Sequence, residues 1–363
     1  MHKYRLLLLL IPLLSGCAEP SAEKMLRDYT QRVSNALEQP IEFEPGAADY
    51  PVLPPRRERR LETVELREGL IDVLRLRHCD LLPLIAERNS NLGRVMTPSQ
   101  TLQYELRFLP AVHTCEQQLQ DRINAEPELQ PLLQRVREIR QHKEQQLPRV
   151  IWNGIYTSPE MEQQFSRSAT TLPLQAPGIA NQAQQLLDPF SVISRLATTE
   201  ASWPDSAFIL GLEQHYEQLY RTEIGSQWLR SVQLLSYTMN QVADGIEDRL
   251  ARRPICFNQQ PNNRATIIQN VFRSFYAQEF QPYLARVDQF GQRWRRLHAE
   301  LQGPLPVPES TAHYFQHLFD TDWPGGLTQQ FYLAQQRHTD AWQQLLQHCG
   351  LMPGSETGAP DAE

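Results

Sequence analysis

Three groups of side chains in this 363-residue chain have types and spacing suited to chemistry. The five cysteines divide into Cys17, which follows Leu14-Ser15-Gly16, and the set Cys79, Cys115, Cys256 and Cys349. A lone thiol can be alkylated, and an even set of thiols in an oxidising compartment pairs as disulfides. His313 and His317 stand one helical turn apart with Asp320 and Asp322 close behind, able to hold a metal ion from one helix face. Tyr314 replaces the glutamate base of the zinc-hydrolase pattern, so the pair reads as a metal site of a hydrolase or as surface histidines. Glu87-Arg88-Asn89-Ser90-Asn91 is a polar run between apolar residues. Glu87, Arg88, Asn89 and Asn91 could contact a ligand, or the run could close a helix by satisfying its own last carbonyls. There is no Gly-x-Ser-x-Gly elbow and no glycine-rich phosphate loop. Neither a catalytic residue nor a cofactor is expected.

Cys17 sits at the end of a recognisable layout. A basic start (His2, Lys3, Arg5), an apolar stretch from Leu6 to Leu14 and the small pair Ser15-Gly16 are the parts of a secretory signal. The apolar stretch is too short to cross a bilayer as a permanent helix, and no second run is long enough to span. Leu14-Ser15-Gly16-Cys17 resembles the lipobox of bacterial lipoproteins. The resemblance implies cleavage before Cys17, a diacylglyceryl group on its sulfur and a further acyl chain, such as palmitate, on the new amine. Two or more chains hold a protein stably at ~0.8 kcal/mol per buried methylene, where one does so marginally. Ala18, rather than Asp, after the cysteine implies the outer membrane with the body facing the periplasm. The plainer alternative is an ordinary secretory signal that ends in cysteine.

Removing residues 1–16 takes away Lys3 and Arg5 and no acid, so the formal charge of −7 becomes −9. An acidic chain argues against nucleic acid as a partner. The expected partners are the membrane, through the lipid, and an envelope protein or cell-wall component.

The elements that would position these residues are helices. Gln, Leu, Arg and Glu dominate, and alternating Val/Ile/Thr runs are scarce. The expected fold is all-α, a multi-helix bundle of antiparallel hairpins with irregular proline-rich connectors. Its parts are a signal (1–16), an anchored helix with a proline-rich tether (17–60), an N-terminal half (61–147), a connector (148–180), a C-terminal half (181–352) and a disordered tail (353–363). Ser21 opens a helix in the anchored part. Leu66, Leu70, Val73 and Leu74 mark a helix that ends near Cys79; a second runs from Asp80 to Leu92 and stops at Gly93. Thr97-Pro98-Ser99-Gln100 is a capping box with proline in the first turn, and it opens a third helix that Pro110 is expected to end. Two such helices lie antiparallel and return the chain to its starting level, which places Cys115 beside Cys79.

Further on, Pro148 and Pro189 are expected to break helices, and Pro282 to kink the long helix 264–301. That helix carries Phe272, Tyr276, Phe280, Tyr283, Val287, Phe290 and Trp294 as one stripe, read as core. The helices 264–301 and 311–348 form another hairpin, which returns Cys349 to Cys256. The expected disulfides are therefore Cys79–Cys115 and Cys256–Cys349.

The passage Leu84 to Met96, with Ser99-Gln100, Tyr104-Glu105 and Ile151-Trp152-Asn153, resembles a family of gammaproteobacterial lipoproteins catalogued as a domain of unknown function (DUF3080). That resemblance implies the lipid-anchored architecture and supplies no activity. The resulting expectation is a membrane-anchored envelope protein that acts by binding. The alternatives are a carrier of a lipid, peptide or cell-wall fragment, with its groove near residues 148–180, and the His313/His317 metallohydrolase.

Overall fold

A computed structural model of the chain describes residues 21–64, 79–167, 170–198 and 202–352. Cys17, most of the helix expected to end near Cys79, and the tail 353–363 lie outside the described residues. Among the described residues the long elements are all helices, and the only extended pairing is the bridge Phe257–Gln260. The fold is all-α.

Helix α1 (Ala22–Leu37) begins at Ser21, whose Oγ accepts the Lys24 amide at 3.2 Å. It ends at Glu38 in the left-handed region, φ 50°. Met25, Leu26, Tyr29, Val33, Ala36 and Leu37 recur at helical spacing and are all buried, so α1 lies within the core from its first turn. The proline-rich stretch after it is extended, as expected, but it is bound along its length and is not a free tether. Glu44 N donates to Tyr237 Oη at 3.0 Å, and Gln233 Nε2 donates to Ala47 O at 2.9 Å. Trp152 Nε1 donates to Arg59 O at 2.7 Å, while the Asn153 side chain accepts from Leu61 N and donates to Leu61 O, both at 2.8 Å. The Arg59 guanidinium is buried between Tyr156 O and the Glu162 carboxylate. Extended backbone has no partners of its own, so these side chains supply them.

Helix α2 (Leu82–Asn89) leads through a short 3₁₀ turn to α3 (Pro98–Arg122), which packs along α4 (Gln130–Tyr156). The capping box at Thr97 and Gln100 is formed from both sides. Pro110 does not end α3, and Pro148 does not end α4; each lies inside its helix. The reason is tertiary. An internal proline costs ~3 kcal/mol. Beyond Pro110, however, Val112, Cys115 and Leu119 are fully buried, and around Pro148 so are Ile151, Trp152 and Ile155. At roughly 1.5–3 kcal/mol for each large apolar side chain, continuing the helix outweighs the proline. Pro189 is carried inside α5 (Ile179–Ser194) in the same way, with Leu187, Phe190 and Ile193 buried around it.

After α6 (Leu212–Tyr220), α7 (Ile224–Arg252) runs through the body. The next helix is continuous in three parts: α8 (Asn263–Val271), a π-helical stretch Phe272–Phe280, and α9 (Gln281–Gln302). Pro282 stands in the first turn of α9, directly after the widened turns. A proline there has no N–H and crowds the carbonyl four residues back, and a π turn relieves that conflict without ending the helix. Helix α10 (Glu309–Phe319) and α11 (Leu327–His348) complete the fold. Tyr332 on α11 bonds Asp288 on α9 at 2.7 Å, His338 stacks on Phe280, and Trp342 packs near Phe272. Rising numbers on α11 meet falling numbers along α9 and the π-helical stretch before it, so α11 runs antiparallel to that continuous helix. Both disulfides form as expected, Cys79–Cys115 with Cα atoms 4.9 Å apart and Cys256–Cys349 at 5.2 Å.

Apolar side chains gather into two clusters. The larger takes in α1, Leu102, Leu106 and Leu109 of α3, the second half of α4 and most residues beyond. The smaller joins Cys79 and Leu81 to Tyr104, Phe108, Val112, Cys115 and Leu119 of α3 and to Leu129–Ile139. Helix α3 thus serves one cluster with one side and the other cluster with another. Residues 148–180, read from sequence as a connector that Trp152 and Tyr156 pack against the core, contribute Val150, Ile151, Trp152, Ile155, Tyr156 and Phe165 to the larger cluster.

Candidate functional site

The polar run Glu87–Asn91 lies where α2 ends and the chain turns into α3. Arg107, two turns into α3, clamps the Glu87 carboxylate with both terminal nitrogens, one at 3.0 Å. The Arg88 guanidinium reaches forward to Gly93 O. Ser90 Oγ donates to Glu87 O at 2.7 Å and accepts from Gly93 N at 2.9 Å, which closes the last helical turn. Gly93 is buried, and a Cβ at that position would sit 2.2 Å from Glu87 O, so the close backbone approach requires glycine. Asn89 and Asn91 face solvent. Glu87, Arg88 and Ser90 therefore serve the helix end, the second of the two readings open from sequence.

What this bracing holds outward is apolar. Leu92 is 81 % exposed and Val95 73 % exposed, with Arg94 in solvent between them. Two aliphatic side chains on a turn fixed at both ends, by the Glu87–Arg107 clamp and by the Thr97–Gln100 box, lose little freedom when a partner covers them. The sequence singled out the polar residues of this passage and missed the apolar ones. The available signal was the pair Leu92 and Val95 inside a segment too polar to belong to a buried face.

The histidines divide otherwise than their spacing suggests. His313 is exposed beside Trp323, and His317 is half-buried, which lowers its basicity. Asp320 Oδ1 accepts the Asp322 amide at 2.9 Å, an ordinary turn. Among the described residues no three His, Cys, Asp or Glu side chains converge as a metal-ligand set, and the His313/His317 face is no exception. Among the described residues the buried histidines are His298 and His338. His338 Nε2 meets Tyr29 Oη at 2.8 Å, and Trp342 Nε1 donates to the same oxygen at 2.8 Å, which leaves the phenol proton for the histidine. His298 Nδ1 meets Tyr156 Oη at 3.0 Å inside a cage of Phe165, Trp294, Phe315 and Phe319. Burial alone pushes both histidines down to about 3, so they are neutral. Closed off from solvent, they have no route to a substrate and act as core residues. Their signal in the sequence is spacing: His298 is one turn beyond Trp294 and His338 one turn before Trp342, each on an apolar stripe.

Ser21 and Lys24 carry a Ser-x-x-Lys spacing, but Ser21 Oγ is engaged as the α1 cap. Near residues 148–180, where a carrier would need its groove, Trp152 and Tyr156 are buried and stacked with centroids 4.4 Å apart. A cavity beside Trp228, Asp288, Gly291, Arg295 and Tyr332 holds about 10 Å³, room for about one water. The buried Trp228 Nε1 on its wall, unbonded to protein, is a donor such a water would satisfy.

Neither the curated proteins nor the solved structures contain a match to the chain. One family model, described as a protein of unknown function (DUF3080), matches residues 26–353, and the chain belongs to that family.

Proposed function

We propose that this chain is a lipid-anchored protein of the bacterial outer membrane whose helical body faces the periplasm and works by binding a protein of the envelope. The observation that carries the binding reading is the braced turn Ser90–Thr97, which displays Leu92, Arg94 and Val95 to solvent. Covering two aliphatic side chains of this size is worth roughly 1.5–3 kcal/mol each, enough to make the turn an anchor of an interface. The anchoring reading rests on Leu14-Ser15-Gly16-Cys17. Two disulfides suit an oxidising compartment and support it.

Two measurements test the reading. In sucrose-gradient fractionation the protein sediments with outer membranes, and Cys17→Ser releases it; an unaltered soluble distribution in both refutes the anchor. A photo-crosslinker at position 92 or 95, activated in intact envelopes, captures one predominant partner. Leu92→Ser and Val95→Ser each weaken that partner's binding by about 10- to 100-fold. Equal crosslinking from position 92 and from an exposed position on the opposite side of the body refutes the binding surface.

A further inference from the structure

Phe257 is 81 % exposed, and the chain around it is built to hold it there. It opens the four-residue turn Phe257–Gln260, closed by Gln260 N donating to Phe257 O at 3.0 Å. The two central residues, Asn258 (φ 50°) and Gln259 (φ 57°), are both left-handed. Few non-glycine residues adopt that conformation, so two in succession are held by their surroundings. The surroundings are visible. Cys256, buried at the root of the turn, is bonded to Cys349. Asn262 Nδ2 donates to Ile255 O at 2.8 Å, and Gly350 packs so closely on Gln259 that a Cβ would lie 2.8 Å from its carbonyl oxygen.

The charge at this end opposes that of the whole chain. From Arg249 to Arg264 there are four arginines and no acid, in a protein of formal charge −7. Arg249 donates to Leu37 O at 2.9 Å, and Arg264 pairs with Glu38, so these two cap the end of α1. Arg252 makes one long bond, 3.3 Å, to Gln39, and Arg253 is exposed with it. Of the acids upstream on α7, Asp244 and Glu247 share Arg337, which leaves one negative charge over. Asp248, one turn before Arg252, lowers the local charge further, so these groups carry an excess of one positive charge. Among the described residues, Arg252 and Arg253 are the exposed cations of this set without an ion pair.

We propose that Arg252, Arg253 and Phe257 form a second membrane contact, one that takes the anionic headgroups of a phospholipid surface. An acidic body is repelled by such a surface except through a local basic face, and an exposed phenylalanine inserts at the boundary between headgroups and acyl chains. The proposal rests on the lipid-anchored reading, which keeps a membrane at hand. The four peptide steps from Cys17 to Ser21 reach at most ~14 Å. Helix α1, of 16 residues, then carries the chain about 24 Å further to the arginine end. The two contacts are therefore separate points, and together they fix how the body is oriented.

The test uses the full mature chain with Cys17→Ser, disulfides intact, so that no acyl chain contributes. Co-sedimentation compares vesicles of phosphatidylcholine with vesicles of equal phosphatidylcholine and phosphatidylglycerol. Binding to the anionic vesicles alone, weakening with added salt, is expected. Arg252→Ser and Arg253→Ser should each reduce it about fivefold, and Phe257→Ser about tenfold, with unchanged circular dichroism. Equal binding to both vesicles, binding to neither, or indifference to the three substitutions overturns the proposal; so does a variant-sensitive complex with an acidic envelope protein in place of the vesicles. None of these outcomes bears on lipidation, which the mass of the processed wild-type protein reports separately.

Discussion

His298 and His338 enter the folded state without their protons. Unfolded, each titrates near 6.5, and burial lowers both to about 3. Between those values the unfolded chain binds more protons than the folded one, so stability is complete above the upper value and declines as pH falls below it. Each histidine contributes a slope of about 1.4 kcal/mol per pH unit. The depressed carboxylates Glu116 and Glu162 act with the same sign, but only below the ordinary carboxylate range, and the half-buried His317 adds a smaller contribution of that sign near the upper edge, which leaves the window from about pH 6.5 to 4.5 mainly to His298 and His338. Urea unfolding across that window should show stability falling by about 2.7 kcal/mol per unit, and His338→Gln should halve the slope. A flat profile would mean that both histidines are already charged, or reach water, in the folded protein. At this scale the sequence drew attention to His313 and His317, read as a metal pair or as surface histidines, and passed over the buried pair. His313 and His317 have ligand spacing, but spacing along one helix says nothing of a third ligand, which must come from another element.

Single elements were legible where the causes are local and obscure where they are distant. The Ser21 cap and the Thr97–Gln100 box depend on residues within one or two turns, and each stands where the sequence puts it. The helix expected over Asp80–Leu92 is shorter, Leu82–Asn89, and Gly93 does not end it in a left-handed turn but lies in the 3₁₀ turn that follows, where close approach to Glu87 O requires glycine. The proline breaks at 110, 148 and 189 did not occur, because the burial that offsets them comes from helices far away in the chain. Residues 40–64 are the clearest case. Nothing inside that stretch reveals that Tyr237, Gln233, Trp152 and Asn153 will bond its backbone. Asn153 is the sharpest test, since its amide satisfies both polar groups of Leu61. Asn153→Ala leaves an N–H and a C=O without partners and should cost about 1–3 kcal/mol. Limited proteolysis should then cut within 50–64 while the helices stay intact. Resistance equal to that of the wild type would show that the packing of Leu53 and Leu61 on the core holds the segment without the amide.

At the scale of the whole molecule, the buried apolar side chains of the described residues form two clusters with one disulfide at each. Cys79–Cys115 belongs to the smaller and Cys256–Cys349 to the larger. On the chain-entropy model, closing loops of these lengths, 36 and 93 residues, contributes about 3.8 and about 4.7 kcal/mol. The values are similar but fall on cores of very different size. The smaller cluster is a dozen side chains along the outer part of α3 and α4, so 3.8 kcal/mol is a large share of what holds it. Replacing Cys79 and Cys115 by Ser should therefore let residues 79–139 open while the rest stays closed. Replacing Cys256 and Cys349 should lower stability throughout the larger core. Native-state hydrogen exchange separates the cases, because sub-global opening exposes one contiguous set of amides at a lower free energy than the others. The opposite outcome is equally informative. Leu102, Leu106 and Leu109 bind α3 to the larger core within the same turns that bind Tyr104 and Phe108 to the smaller. If that sharing makes the helix indivisible, loss of either disulfide lowers protection equally at every slow amide, and the two clusters unfold as one.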